Sequence, residues 1–311
     1  MATTYARARK QRIDALVGAG DEGTSLLRDA WERLKVSPLF WIGAVIIALF
    51  LLLALIGPWI AAHDPAAQLL IGQTSRARNE LAPAQAGFPL GGDPLGRDLL
   101  SRLLIGSRQT LYVGIGATTI ALIGGLILGL LAGAFGGWVD TLVMRVVDVM
   151  LALPSLLWAT SIVLLFPSPN LTSVTIAVAV AQIPVFARLL RGQMLAQRES
   201  DHVLAARSLG IRRGPIVFRH MLPNSISPVI VQATLVVAIS ILDAAALSFL
   251  GLGSQDAAAP EWGAMLGEAQ DRIDSHPQLA FWPAALIILV SLGFTLVGES
   301  MREAIDPKNR R

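Results

Sequence analysis

The residues whose types could do chemistry concentrate between Asp201 and Asn224, "DHVLAARSLGIRRGPIVFRHMLPN", which holds four arginines, two histidines, two adjacent alanines and two glycines. The basic balance of the chain, with a pI of about 9.8, suggests nucleic acid. However, these arginines sit at the edge of apolar runs without interleaved aromatics, and an orientation bias of membrane segments explains them better. Catalytic groupings are missing: there is no Gly-x-x-x-x-Gly-Lys-Ser/Thr phosphate loop, no His-Glu-x-x-His, no Gly-x-Ser-x-Gly elbow and no dinucleotide fingerprint. His63, His202, His220 and His276 lie far apart without ligand spacing, and cysteine is absent, so no structural metal is expected. If ATP drives this protein, another chain hydrolyses it.

The elements that must hold this insert are membrane spans. With 54% hydrophobic and 15% charged residues in 311, the chain is far more apolar than a soluble domain, in which about a quarter of residues are charged. An all-α polytopic membrane protein follows. A hydrocarbon core of about 30 Å takes roughly 20 apolar residues, and six runs reach that length. The first is 38–62. The second lies within 109–139. A charge-free stretch between Asp148 and Arg188 is split by "FPSPN" into a third and a fourth. The fifth runs from about Asn224 to Leu250, and the sixth from about Phe281 to Val297. The first run is too long, and the polar region before it too extended, for a signal peptide.

Orientation comes from the basic residues. Seven Lys/Arg lie in Tyr5 to Lys35, seven Arg lie in Arg188 to Arg219, and the end "DPKNRR" is basic. With six spans all three share a side, which the positive-inside rule makes cytoplasmic, so both termini are inside. Five arginines in the first outer loop fit less well, but long loops weigh less in that rule. The chain thus divides into a flexible cytoplasmic tail 1–37, an anchor helix 38–62, an extracytoplasmic loop 63–108 and a five-helix core 109–306 that contains a hairpin at 201–223.

Within the spans, Gly125, Gly129, Gly133 and Gly137 repeat every four residues and offer a smooth ridge for close helix packing, inside the chain or between chains. Arg145 and Asp148, three apart, are expected to neutralise one another. Pro154 is expected to bend the third span. Asp243 falls near the outer edge of the fifth. There it either meets water or an outer arginine such as Arg97 or Arg102, or lines the outer mouth and attracts a cationic group.

The insert itself reads as a helical hairpin. Val203 to Leu209 favour helix, Gly210 ends it in the left-handed conformation, Pro215 opens a second helix, and Pro223 forces a restart as the fifth span. The hairpin either presents Ala205, Ala206 and Gly210 as a low surface for another protein or lies on the membrane.

Its spacing resembles the cytoplasmic signature of binding-protein-dependent ABC importer permeases: Glu-Ala-Ala, three residues, Gly, nine residues, Ile-x-Leu-Pro. Here Leu204-Ala205-Ala206, Gly210 and His220-Met221-Leu222-Pro223 occupy those places, with Leu204 for the acid and His220 for the isoleucine. "GGDPLGRDLLSRLLIGSRQTL", "GGWVDTLVMRVVDVMLALPSLL", "LSFLGLG" and "GESMREAIDPK" are similar to blocks of the C-type permease of dipeptide, oligopeptide and nickel importers. The likeness covers Ser37 to Lys308.

The resemblance implies a type I importer permease of the bacterial inner membrane that imports di- or oligopeptides, or alternatively nickel or a nickel chelate. It implies contact of Leu204, Ala205, Ala206, Arg207, Ser208 and Gly210 with an ATPase subunit, with Leu222 and Pro223 ending the loop. The implied partners are a homologous permease, two ATPases or a fused pair, and an extracytoplasmic binding protein; ATP and Mg would be bound by those partners and no cofactor by this chain. Asp243, Gly251 and Gly253 are candidates for the path or outer gate, and Arg97, Asp98 and Trp262 for binding-protein docking. A stand-alone secondary transporter is the alternative of another class, disfavoured by the nearly charge-free spans; a membrane enzyme lacks a site.

Overall fold

The computed structural model describes residues 26–75, 79–254, 256 and 258–305. Most of the expected tail, residues 1–25, lies outside them. The tail's last part is helical: α1 (Leu26–Val36) packs against the final helix of the chain.

The anchor helix α2 (Pro38–Ile60) starts where Ser37 accepts a hydrogen bond from Phe40 N and Pro38 fills the first turn, where a missing N–H costs nothing. The second span begins ten residues before the expected position. Asp98 accepts from Leu100 N and Ser101 N, and this N-cap starts α3 (Leu99–Phe135) at Leu99. Counting only charge-free residues hid that start, because Arg102 and Arg108 belong to the helix. At 37 residues it is about 55 Å long, more than a bilayer core needs.

The third span is not one helix. α4 (Gly137–Leu151) and α5 (Ser155–Val163) meet at 91° around Pro154, and neither alone is long enough to cross; the described residues contain five such helices, or six counting the bent pair as one span. Proline removes a donor and clashes one turn back, while Trp158 Nε1 bridges the break to Met150 O at 2.8 Å. After the Pro-rich turn, Asn170 and Ser173 form a reciprocal capping box that opens α6 (Leu171–Arg198).

α7 (Asp201–Ser208) and α8 (Arg213–Ile216) form the hairpin, and α9 (Leu222–Phe249) follows. Contrary to the expected restart at Pro223, the chain runs on without a break: Arg213 to Phe249 form one apolar helical unit, with a π-helical turn at Val217–Met221. The wider turn accommodates a proline whose ring and missing N–H a regular helix does not tolerate. α10 (Trp262–Ala269) lies in the second outer loop, and α11 (Gln278–Ile305) closes the bundle.

The α3–α6 pair has the most extensive contact in the bundle, and glycines are the cause. A Cβ on Gly129 would sit 2.8 Å from Ala187 O, one on Gly133 2.8 Å from Met194 Cβ, and one on Gly125 would meet Phe186. The ridge therefore packs inside the chain. Gly137 departs from it: it lies in α4 at φ 58° with open space around it. Asp148 likewise takes Arg188 of α6 as partner, at 2.5 Å, rather than Arg145 on its own helix, because the bent α4 lies against α6.

Candidate functional site

The hairpin is built from a left-handed stop. Gly210 has φ 75°, its N–H bonds to Arg207 O at 2.9 Å, and Ile211 N bonds to Ala206 O at 3.1 Å. This pair is the Schellman arrangement, which satisfies the last carbonyls of α7 and reverses the chain. Val203, Ala206, Ile216, Val217 and Met221 are buried with Phe186, Leu190 and Met194 of α6. The hairpin is thus seated on the bundle and is not a loose loop. Arg213 fixes its second arm by donating to the carbonyls of Ala134 and Phe135 at the end of α3, a favourable place for a cation.

What remains outside is a small surface. Leu204, Ala205, Arg207, Ser208 and Gly210 are exposed, Leu209 is 81% exposed, and no atom stands within 4 Å of a Cβ built on Gly210. Ala206 is 5% exposed and faces the core, so it does not belong to that surface. Side-chain identity alone did not separate Ala205 from Ala206; the helical phase did. The fold also brings His202 and His220 together, ring centroids 6.4 Å apart, although they are distant in sequence. Leu222 is half-buried and Pro223 exposed at the entry to α9.

At the other end of the bundle, the side chains proposed for docking are interior. Trp262 is fully buried, with Nε1 donating to Leu103 O at 3.0 Å, and Asp98 caps α3 while its Oδ2 lies 3.0 Å from His63 Nδ1. Arg97, 4% exposed, donates to Asp93 at 2.5 Å and to Glu268 at 2.6 Å. Arg102 lies 3.3 Å from Asp93 and 3.2 Å from Glu268, and its Nη1 makes no hydrogen bond. These groups fasten α10 to the start of α3, and the side chains of Arg97, Asp98 and Trp262 are themselves almost fully buried. A cavity of 600 Å³ opens beside them, lined by Arg97, Arg102, Gly251, Gly253, Glu261 and Glu268 among others. Gly251, φ 80°, repeats the Schellman stop at the end of α9, and a Cβ on Gly253 would sit 2.7 Å from Ser248 Cβ.

Sequence reasoning missed Glu261. Its carboxylate is buried and accepts from the Ser248 hydroxyl and from Ser254 N. Burial pushes its pKa above the usual carboxylate range, and the two hydrogen bonds offset part of that rise. Asp243 does not pair with Arg97 or Arg102, whose acids are Asp93 and Glu268. It accepts from Gln182 Nε2 at 3.0 Å and bonds to Ser155, the first residue after the break at Pro154.

The comparisons with known proteins agree with this architecture. The family described as "binding-protein-dependent transport system inner membrane component" matches residues 125–311, and the "N-terminal TM domain of oligopeptide transport permease C" matches residues 25–83. The dipeptide transport system permease protein DppC of Alkalihalophilus pseudofirmus is 42% identical over 281 residues, 90% of each chain. The glutathione transport system permease protein GsiD of Pectobacterium atrosepticum is 44% identical over 219 residues, 70% of this chain and 72% of that one. Among solved structures, the MetNI methionine ABC transporter in inward facing conformations has a chain that superposes with a TM-score of 0.53 at 18% identity, covering 66% of this chain and 96% of that one, a likeness of fold. In this family other subunits hydrolyse ATP, and the membrane chain is not an enzyme. The chain belongs to the inner-membrane components of binding-protein-dependent transport systems, the permease subunits of ABC importers.

Proposed function

We propose that this chain forms half of the translocation pathway of a di- or oligopeptide importer in a bacterial inner membrane. A homologous permease supplies the other half. Two ATPase subunits, or one fused pair, bind ATP and Mg at the cytoplasmic side, and an extracytoplasmic binding protein delivers substrate to the outer face. The observation that carries the coupling part is the hairpin itself: an exposed tip of Leu204, Ala205, Arg207, Ser208, Leu209 and Gly210 on a buried base. A rigid base lets a push at the tip move α6 and α9 and so switch access.

The peptide substrate is supported by the names of the relatives, which act on a dipeptide and on glutathione. The outer cavity beside Gly251 and Gly253 is a suitable entry, and in this reading Asp243, which does not line that cavity and is held by Gln182 and Ser155, attracts a peptide amino group. Uptake of a labelled dipeptide in cells with and without this gene tests the substrate. Uptake of nickel with no peptide uptake would assign the alternative cargo, and identification of the ligand on the purified cognate binding protein would decide between them independently. Gly210→Asp tests the coupling: the protein should insert normally but lose uptake and retain ATPase subunits poorly. Normal uptake with normal ATPase retention would remove the docking role.

A further inference from the structure

At the arginine-bearing end of the bundle, where α3 ends, two cavities join. One, of 340 Å³, is walled mainly by Leu130, Leu131, Phe135, Val217 and Phe218. The other, of 290 Å³, is lined by Arg198, Arg207 and Arg213 above Ile216 and Met221. Ala134, Arg213 and Val217 line both, so the two adjoin at these side chains and present a cleft apolar on one side of them and cationic on the other.

The charge of this cleft meets backbone carbonyls at Arg213 but no carboxylate among the described residues. Among the described residues, no Asp or Glu lines either part. Among the described residues, no carboxylate lies within 4 Å of Arg198, Arg207 or Arg213, whereas Arg188 and Arg191, earlier on the same helix as Arg198, pair with Asp148 and Asp140. Three cations from α6, α7 and α8 therefore converge without an internal anion, and Arg213 is held in place by the end of α3. Like charges gathered in this way repel one another and are stabilised by an anion from outside.

Depth and shape identify that anion. The apolar run of α3 ends at Phe135, and Trp138, 76% exposed, follows three residues later. Exposed tryptophan at the end of a span marks the headgroup level. Leu131, Phe135 and Phe218 are exposed along the apolar end. Of the hairpin tip assigned to the ATPase only Arg207 reaches the cleft, while Leu204, Ala205, Ser208, Leu209 and Gly210 line neither cavity, so the two surfaces adjoin at one residue. We propose that the cleft holds one anionic phospholipid of the inner leaflet, its acyl chain along Leu131, Phe135 and Val217 and its phosphate among the three arginines. Basic pockets between spanning helices on the cytoplasmic side bind anionic headgroups by this combination of charge and apolar wall.

The test uses the purified, delipidated importer in detergent and native mass spectrometry after addition of phosphatidylglycerol or phosphatidylcholine. Phosphatidylglycerol should be retained in preference. Arg198→Gln, at a residue outside the hairpin tip, should weaken its retention about fivefold, the effect of one surface cation, and leave phosphatidylcholine unchanged. Leu131→Asn, which keeps every arginine, should also lower phosphatidylglycerol retention and provides a second variant independent of the charges. Equal retention of the two lipids, or unchanged phosphatidylglycerol in both variants, overturns the proposal. Displacement of the lipid by excess glycerol 3-phosphate would show a phosphate site with no role for the chain and overturns it too. So does loss of ATPase subunits from the arginine variant with lipid retention intact, which would make the cleft a protein contact.

Discussion

Arg97 Nη2 donates to Glu268 Oε2 at 2.6 Å across 171 residues of sequence and ties the start of α3 to α10. Asp93 and Arg102 complete the group, so two buried guanidinium ions share two carboxylates. Removing one acid leaves a cation short of its partner in a buried place, which is costlier than never having built the pair. Glu268→Ala should therefore destabilise the outer loops by about 1–2 kcal/mol, less than for a fully buried pair because Glu268 is itself 36% exposed, and a simultaneous Arg102→Met should recover part of that loss. Thermal unfolding of the single and double variants measures both.

Close helix approach should be the most sensitive feature of the bundle. Gly129→Leu puts a side chain where Ala187 O and Leu190 already stand, and overpacking of this sort costs about 1–3 kcal/mol or more. Gly192→Ala, on the same α6 partner but with nothing within 4 Å of its Cβ, should be neutral or stabilising by up to about 1 kcal/mol through helix propensity. Melting temperatures that fall equally for both would contradict the packing account.

Glu261 gives a pH dependence of defined sign. Its folded pKa is raised by burial, so the ionised form is disfavoured in the folded protein. Stability from this group is complete below the unfolded pKa and is lost as pH rises through the folded one. Glu261→Gln, which keeps an acceptor for Ser248 and Ser254, should stabilise the protein at neutral pH, with a gain that shrinks on acidification. A stability difference that is independent of pH would rule out the titration.

Topology can be read by cysteine labelling, because the chain has no cysteine of its own. Ser275 is exposed, and Asn79 donates to it at 2.6 Å, which places the two outer loops on one side. A membrane-impermeant thiol reagent should label Ser275→Cys quickly in intact cells. Half-buried Ser75→Cys should react more slowly, and Ser208→Cys on the hairpin not at all. External labelling at position 208 would invert the orientation.

Asp243 separates structure from transport. Gln182 is 2% exposed, and loss of its acceptor in Asp243→Ala should cost about 1–3 kcal/mol. Asp243→Asn retains an acceptor and should fold. If the carboxylate attracts amino groups, this variant should lose uptake of free dipeptides and leave N-acetylated ones unaffected. Equal uptake of both, as in the parent, would assign the acid to holding α5 and α6 together.

The sequence by itself determined the class of the molecule. Charge-free runs of about 20 residues dictate spans, because an unpaired backbone cannot sit in hydrocarbon, and the Gly210 and Pro215 positions dictate a hairpin through φ preference alone. Local chemistry also located the breaks at Pro154 and at "FPSPN". What it left open depended on which faces meet. Nothing local distinguishes Ala205 from Ala206, or says that Asp148 reaches Arg188 and not Arg145, that Trp262 is a buried anchor, or that Asp243 finds Gln182 and Ser155. Those outcomes rest on helix phase and on contacts between residues tens to hundreds of positions apart. The tertiary structure alone decided them, as it decided that the π turn carries the chain past Pro223 and that Arg198, Arg207 and Arg213 share one cleft.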